Sequence, residues 1–105
     1  MWKSIVFADN ILSKYIAQKG NCAVSQKPLY LGNMECHHIN PNYHWKRSND
    51  SYQNLMVITT EVHKLIHVTK QNKIAKYLNL VKPDKKQLEK INKLHVHVGN
   101  EPITV

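Results

Sequence analysis

The chain is poor in the features that usually staple, anchor or export a small protein. Two cysteines among 105 residues leave no multi-bridge disulfide framework. Three glycines and four prolines argue against a low-complexity or collagen-like chain, and no internal repeat is present. No apolar run approaches the length of a membrane span, and residues 1–20 lack the uninterrupted apolar core of a signal peptide. A cytosolic location is the default expectation. Acidic residues are scarce: seven stand against 15 Lys and Arg, for a formal net charge of +8. That balance suits a polyanionic partner, foremost nucleic acid, although charge alone fits a merely solvated surface as well. The excess is uneven, since residues 64–105 carry a net of +6 and residues 1–63 only +2. The length is that of one domain spanning 1–105, small enough that its core alone is marginal.

Histidine is what the chain has in quantity, and it is clustered. Five of the seven histidines lie between Met34 and Val68. Met34 to His38 reads as a short strand whose side chains alternate between faces. Ile39 to Gln53 is polar and turn-rich, with Asn40-Pro41 stopping the strand. Leu55 to Ile58 is a compact apolar run suited to a second, buried strand. Thr59 or Thr60 can then cap a helix, with Glu61 near its positive end. On that helix His63 and His67 sit at i and i+4 on one face. Two imidazoles so placed can grip one metal ion, and a third nitrogen from the first strand would complete a facial ligand set.

The series E-x-H-H, then N-L, then H-x-x-x-H resembles the HNH nuclease motif, also called the ββα-metal motif. Asn54, His63 and His67 have the spacing of colicin-type DNases. The wording CHHINP, YQNL and VHKLIH, with the tail KKQLEKINKL, resembles the C-terminal HNH region of group II intron-encoded reverse transcriptases. The resemblance implies a ββα-metal core at 34–68, and the apolar periodicity of the flanks adds an N-terminal helix at 2–19 and basic C-terminal helices across 69–98, for an α+β fold. It also implies a divalent-metal-dependent endonuclease acting on DNA in preference to RNA. Mg²⁺ would be the working ion, with Zn²⁺, Ni²⁺ or Mn²⁺ able to occupy the site. His38 would be the general base, and His37, His63 and His67 the ligands. Asn54 would tie the loop to the strand, orient His38 through its amide oxygen or, as in some HNH branches, bind the metal. Glu35, on the same strand face as His37, can hold a ligand histidine in place. Strand alternation sends His37 and His38 to opposite faces, so a bend before Asn40-Pro41 is required for both to serve one site. A non-catalytic nucleic-acid-binding module, or a remnant of a group II intron-encoded protein, is the competing reading. The chain is either a small free-standing protein or a piece of a larger one.

Many group II HNH regions carry two C-x-x-C pairs for a structural zinc. Here Cys22 leads into Ala23-Val24-Ser25, and T-T-E-V-H before the histidine helix contains no cysteine. A Cys22–Cys36 disulfide is possible on paper but does not suit a reducing cytosol, so both read as buried small residues rather than zinc ligands.

The flanks supply packing and charge. Ile5, Ala8, Leu12, Tyr15 and Ile16 form an apolar helical stripe that Gly20 can end. Pro28 to Leu31 with Gly32-Asn33 looks like a hairpin leading into the His37 strand. Thr69 to Leu80 reads as a helix with Ile74, Ala75 and Leu78 inward and Lys70, Lys73 and Lys76 outward. Asp84 and Gln87 make a capping box for a last helix, whose stripe is Leu88, Ile91, Leu94 and Val98. His95 and His97 are expected at the surface, and the final GNEPITV loosely held. Lys46 and Arg47 in the long loop, with Lys64, Lys70 and Lys73, are the expected phosphate contacts. Trp45 beside them either packs the loop onto the body or meets a base.

Overall fold

The computed structural model describes residues 5–39 and 52–103, with side chains from residue 8 onward. Four helices and a two-stranded antiparallel sheet make an α+β fold among them. In chain order these are α1 (Ile5–Ala17), β1 (Met34–His38), β2 (Leu55–Thr59), α2 (Thr60–His67), α3 (Gln71–Val81) and α4 (Lys85–His97). No helix among the described residues is long and apolar enough to cross a membrane.

The apolar run Leu55 to Ile58 becomes the centre of the molecule. Every residue of β2 is buried, as a strand covered on both faces requires. One edge of β2 pairs with β1, in a register that sets Met34 against Thr59, Cys36 against Val57 and His38 against Leu55. The other edge is occupied by side chain and loop rather than by a third strand. Gln18 Nε2 donates to the Val57 carbonyl at 2.8 Å, and the Val57 amide donates back to Gln18 Oε1 at 3.1 Å. The Ala23 amide donates to the same carbonyl at 3.1 Å. An amide side chain thus stands in for a neighbouring strand and closes an edge that would otherwise be left unpaired.

Thr59 ends β2 and starts α2. Its Oγ1 accepts from the Val62 amide at 3.3 Å, so the hydroxyl satisfies one of the amides that a helix start leaves over. Val62, Leu65 and Ile66 are the buried face of α2. They join Leu55, Val57, Ile58, Val81, Ile91 and Leu94 in one core. The capping box of α4 is as expected: the Gln87 amide donates to Asp84 Oδ1 at 2.7 Å and the Asp84 amide to Gln87 Oε1 at 3.1 Å.

Several expectations are corrected. On α1 the inward side chain is Ile11, with Tyr15 beside it, whereas Leu12 and Ile16 are exposed. The turn after α1 explains the choice. Gln18 must face β2, and Gly20, at φ +73°, folds the chain back with its amide on the Tyr15 carbonyl. The expected hairpin before β1 is reduced to a single bridge between Asn21 and Pro28, followed by a 3-10 turn at Leu31–Asn33. On α3, Ala75 is exposed, while Ile74, Tyr77, Leu78 and Val81 pack inward. Cys36 is only half-buried, and Cys22 is buried with its sulfur accepting from the Ser25 amide at 3.4 Å. The segment after α4 is tied down. Ile103 is buried, and its amide and carbonyl pair with the Asn92 side chain at 2.7 and 3.3 Å.

Ile58 is fully buried at the middle of this arrangement. Ile58→Ala is expected to destabilise the fold by about 2–5 kcal/mol. A denaturant titration measures it, and a midpoint within error of wild type would show that β2 does not carry the core.

Candidate metal centre

Three imidazoles from two elements meet beside the sheet. His37 comes from β1, and His63 and His67 come from successive turns of α2. One ring nitrogen from each lies within 4.8 Å of the others. The ring centroids are 5.3 Å apart for His37–His63 and for His37–His67, and 4.9 Å for His63–His67. All three pairs are edge-on, so the rings surround a point rather than stack. Among the described residues no other group of His, Cys, Asp or Glu converges this way.

The local structure explains the convergence. A β-strand alternates faces, so Glu35 and His37 project from the same side of β1. The α-helix brings i and i+4 onto one face, so His63 and His67 stand one turn apart. Thr59 joins β2 directly to α2, which packs against the sheet and brings that helix face to the strand.

The electrostatics favour neutral rings at His37. This side chain is 1 % exposed, and its pKa is lowered from 6.5 to about 3. Loss of hydration is the main cause, followed by repulsion from His63, His67 and His38. Its Nε2 is buried without a hydrogen-bond partner. A neutral ring packed beside two other imidazoles, with a buried nitrogen that has no partner, offers the kind of donor a transition-series cation requires. The His67 pKa is also lowered, first by desolvation and then by His63 and His95. At His63 a carboxylate takes over: Nδ1 lies 2.6 Å from Glu35 Oε1. That contact holds the Glu35 carboxyl below its usual range. A proton on His63 Nδ1 donated to Glu35 leaves Nε2 as the ligand atom, the tautomer control common at metal-bound histidines. The donor set and the orphaned nitrogen fit a divalent ion.

Of the other expected site residues, His38 is half-buried at the end of β1 and stands outside the three-nitrogen group. The chain bends at Ile39, immediately after it. Asn54 is buried just before β2, and its carbonyl accepts from the Ile39 amide at 2.9 Å, which ties the end of β1 to the start of β2. Lys64, Lys70 and Lys73 are exposed on α2, at the start of α3 and on α3. Lys46 and Arg47, with Trp45, lie outside the described residues. His95 was expected at the surface and is instead 1 % exposed. The signal for its burial is its place on the α4 stripe, four residues after Ile91 and three before Val98. No family model, curated protein or solved structure matches this chain.

The lowered His37 pKa fixes a direction for acid sensitivity in metal-free protein. Because the folded value is depressed, the stabilisation is complete above the unfolded value of 6.5 and is lost as pH falls toward 3. Within that window each pH unit costs up to about 1.4 kcal/mol. Glu35 and His67 add slopes of the same sign, so the measurement is a difference. In chelator, His37→Leu is expected to lose stability less steeply than wild type between pH 6.5 and 4, by roughly one proton. Parallel slopes would show that His37 is protonated alike in folded and unfolded chains.

Proposed function

We propose that this chain is a divalent-metal-dependent endonuclease of the HNH type, hydrolysing phosphodiester bonds in DNA. The observation that carries the reading is the meeting of His37, His63 and His67 around one point, with a buried, unpartnered nitrogen on the first. The order β1, β2, α2 in which those residues occur, with the E-x-H-H…N-L…H-x-x-x-H wording, supports the reading by its resemblance to a ββα-metal core. A divalent ion held by the three imidazoles would stabilise charge on the phosphate and the leaving oxygen.

The chain's own residues have distinct parts. Glu35 orients His63, and β1 presents His37 rigidly. His67 is the exposed member of the trio, so the centre is open on that side to a substrate phosphate, as a reactive rather than a closed structural site requires. His38 follows His37 and stands outside the ligand group. It takes the proton of the attacking water, a role suited to imidazole at neutral pH. Asn54, through its carbonyl on the Ile39 amide, sets the backbone next to His38. Lys64, Lys70 and Lys73 extend a basic surface from the metal-bearing helix onto α3, where phosphates flanking the scissile bond are held. The non-catalytic binding module is distinguished from this reading by a single residue, since it has no use for His38 as a base.

His38→Ala is expected to keep metal affinity while cutting plasmid DNA about a hundred- to ten-thousand-fold more slowly. His67→Ala is expected to lose both. A nicking assay beside calorimetric metal titration provides the comparison. Undiminished cleavage by His38→Ala removes the proposed base, and metal loss equal to that of His67→Ala makes His38 a ligand.

The basic surface predicts duplex binding that weakens steeply with salt, with a log–log slope that falls by about one for each phosphate contact removed. Lys70→Gln and Lys73→Gln, titrated against a labelled duplex at several salt concentrations, should each flatten it. A slope unchanged in both variants would place the phosphate grip elsewhere.

A further inference from the structure

Resting on the metal-centre reading above, we infer that His95 and Asn100 are positioning residues for that centre. They lock the last turn of α2, and with it His67, by engaging two carbonyls at the helix end. α2 stops at His67, and the Val68 amide closes back on the Lys64 carbonyl at 2.9 Å. The amides that would serve Leu65 and Ile66 in a longer helix therefore lie beyond the helical turn, which leaves those carbonyls to other donors. His95 Nε2 lies 2.6 Å from the Leu65 carbonyl, and Asn100 Nδ2 donates to the Ile66 carbonyl at 3.2 Å. Ile66 immediately precedes His67.

The lock is itself built with care for geometry. Gly99 has φ +88°, a left-handed conformation at the end of α4. Its amide donates to the Val96 carbonyl at 3.0 Å and the Asn100 amide to the His95 carbonyl at 2.7 Å. These two bonds are the Schellman closure of a helix C-terminus. It turns the chain so that the Asn100 side chain faces α2 and the Glu101 carbonyl meets His95 Nδ1 at 3.1 Å. A neutral imidazole carries one N–H and carbonyl oxygens only accept, so the shorter contact, Nε2 to the Leu65 carbonyl, is the hydrogen bond that holds the ring. Asn92, holding Ile103 by two hydrogen bonds, anchors the far end of the segment.

The consequence is a division of labour among the ligands. Glu35 holds His63 from the strand side. His67, one turn later, has its backbone held from the opposite side by α4 and the segment after it. A three-imidazole set tolerates little displacement, because all three lone pairs must meet at one ion. Releasing the Leu65 and Ile66 carbonyls frees the last turn of α2 to unwind and carries His67 off that point.

The test uses the intact chain with Co²⁺ and Zn²⁺ as probes. His95→Phe keeps ring volume and removes both nitrogens, whereas His95→Gln retains a donor in the place of Nε2. Asn100→Leu is a second variant at a half-buried position, available if His95→Phe does not fold. Asp84→Ala, which removes the start cap of α4, is the control for general destabilisation. Affinity is read by calorimetry, and ligand geometry by the visible Co²⁺ spectrum, well below each melting temperature. His95→Phe and Asn100→Leu are expected to bind about tenfold or more weakly with an altered spectrum. His95→Gln should recover most of the affinity, and Asp84→Ala should match wild type. Wild-type affinity and spectrum in Asn100→Leu and in any folded His95→Phe overturn the inference. So does an equal loss in Asp84→Ala, which would make the effect one of stability alone. Failure of the wild-type protein to bind either ion is a different result, and removes the metal centre itself.

Discussion

Removing an imidazole nitrogen from water without giving it a partner costs on the order of 1–3 kcal/mol. The structure accepts that cost at His37, whose Nε2 is buried and unpaired. Much else follows from this placement. The ring must remain neutral, since a proton there would stand beside His63 and His67 in a desolvated space. β1 must be held firmly enough that the ring cannot swing out to water. Pairing with β2 achieves this, with His37 opposite Met56 in a strand that is buried throughout. A cation at the centre would turn the same nitrogen from a liability into a bond, so binding and folding energies become one quantity.

The molecule settles several of its other backbone loose ends with side chains rather than with more secondary structure. Gln18 completes the outer edge of β2, Thr59 begins α2, Asp84 begins α4, and His95 and Asn100 finish α2. Lys27 and Lys90 are drawn into the same role, donating to the carbonyls of Val81 and Ala23 at 3.4 and 2.9 Å. This economy suits a chain too short to surround every strand and helix with neighbours. It also means that part of the positive charge serves the fold.

The parts of the fold legible in the sequence were those governed by local periodicity and local chemistry. Met34–His38 and Leu55–Thr59 are strands because alternation and a four-residue apolar run permit little else. Thr59 and the Asp84–Gln87 pair act as caps because their chemistry is complete within four residues. The i and i+4 histidines needed only a helix between them, and Glu35 needed only to share a strand face with His37. What escaped depended on distant partners. Leu12 and Ile16 fit an apolar stripe as well as Ile11 does, and the choice among them was made by Gln18 facing Val57 across 39 positions of chain. Gly99, near the end of the chain, suggested a loose segment, yet its left-handed turn aims Asn100 at a carbonyl 34 residues earlier.

His95 shows why composition is a poor guide at such positions. A histidine in a lysine-rich helix reads as surface, because its polar ring costs energy to bury. The cost is offset when the ring N–H finds a carbonyl, and the Leu65 carbonyl, 2.6 Å from Nε2, is open to it only because α2 ends where it does. The end of α2 is in turn where His67 stands. The burial of His95 and the placing of His67 are therefore two results of one helix terminus, and neither is visible until the helices are set side by side.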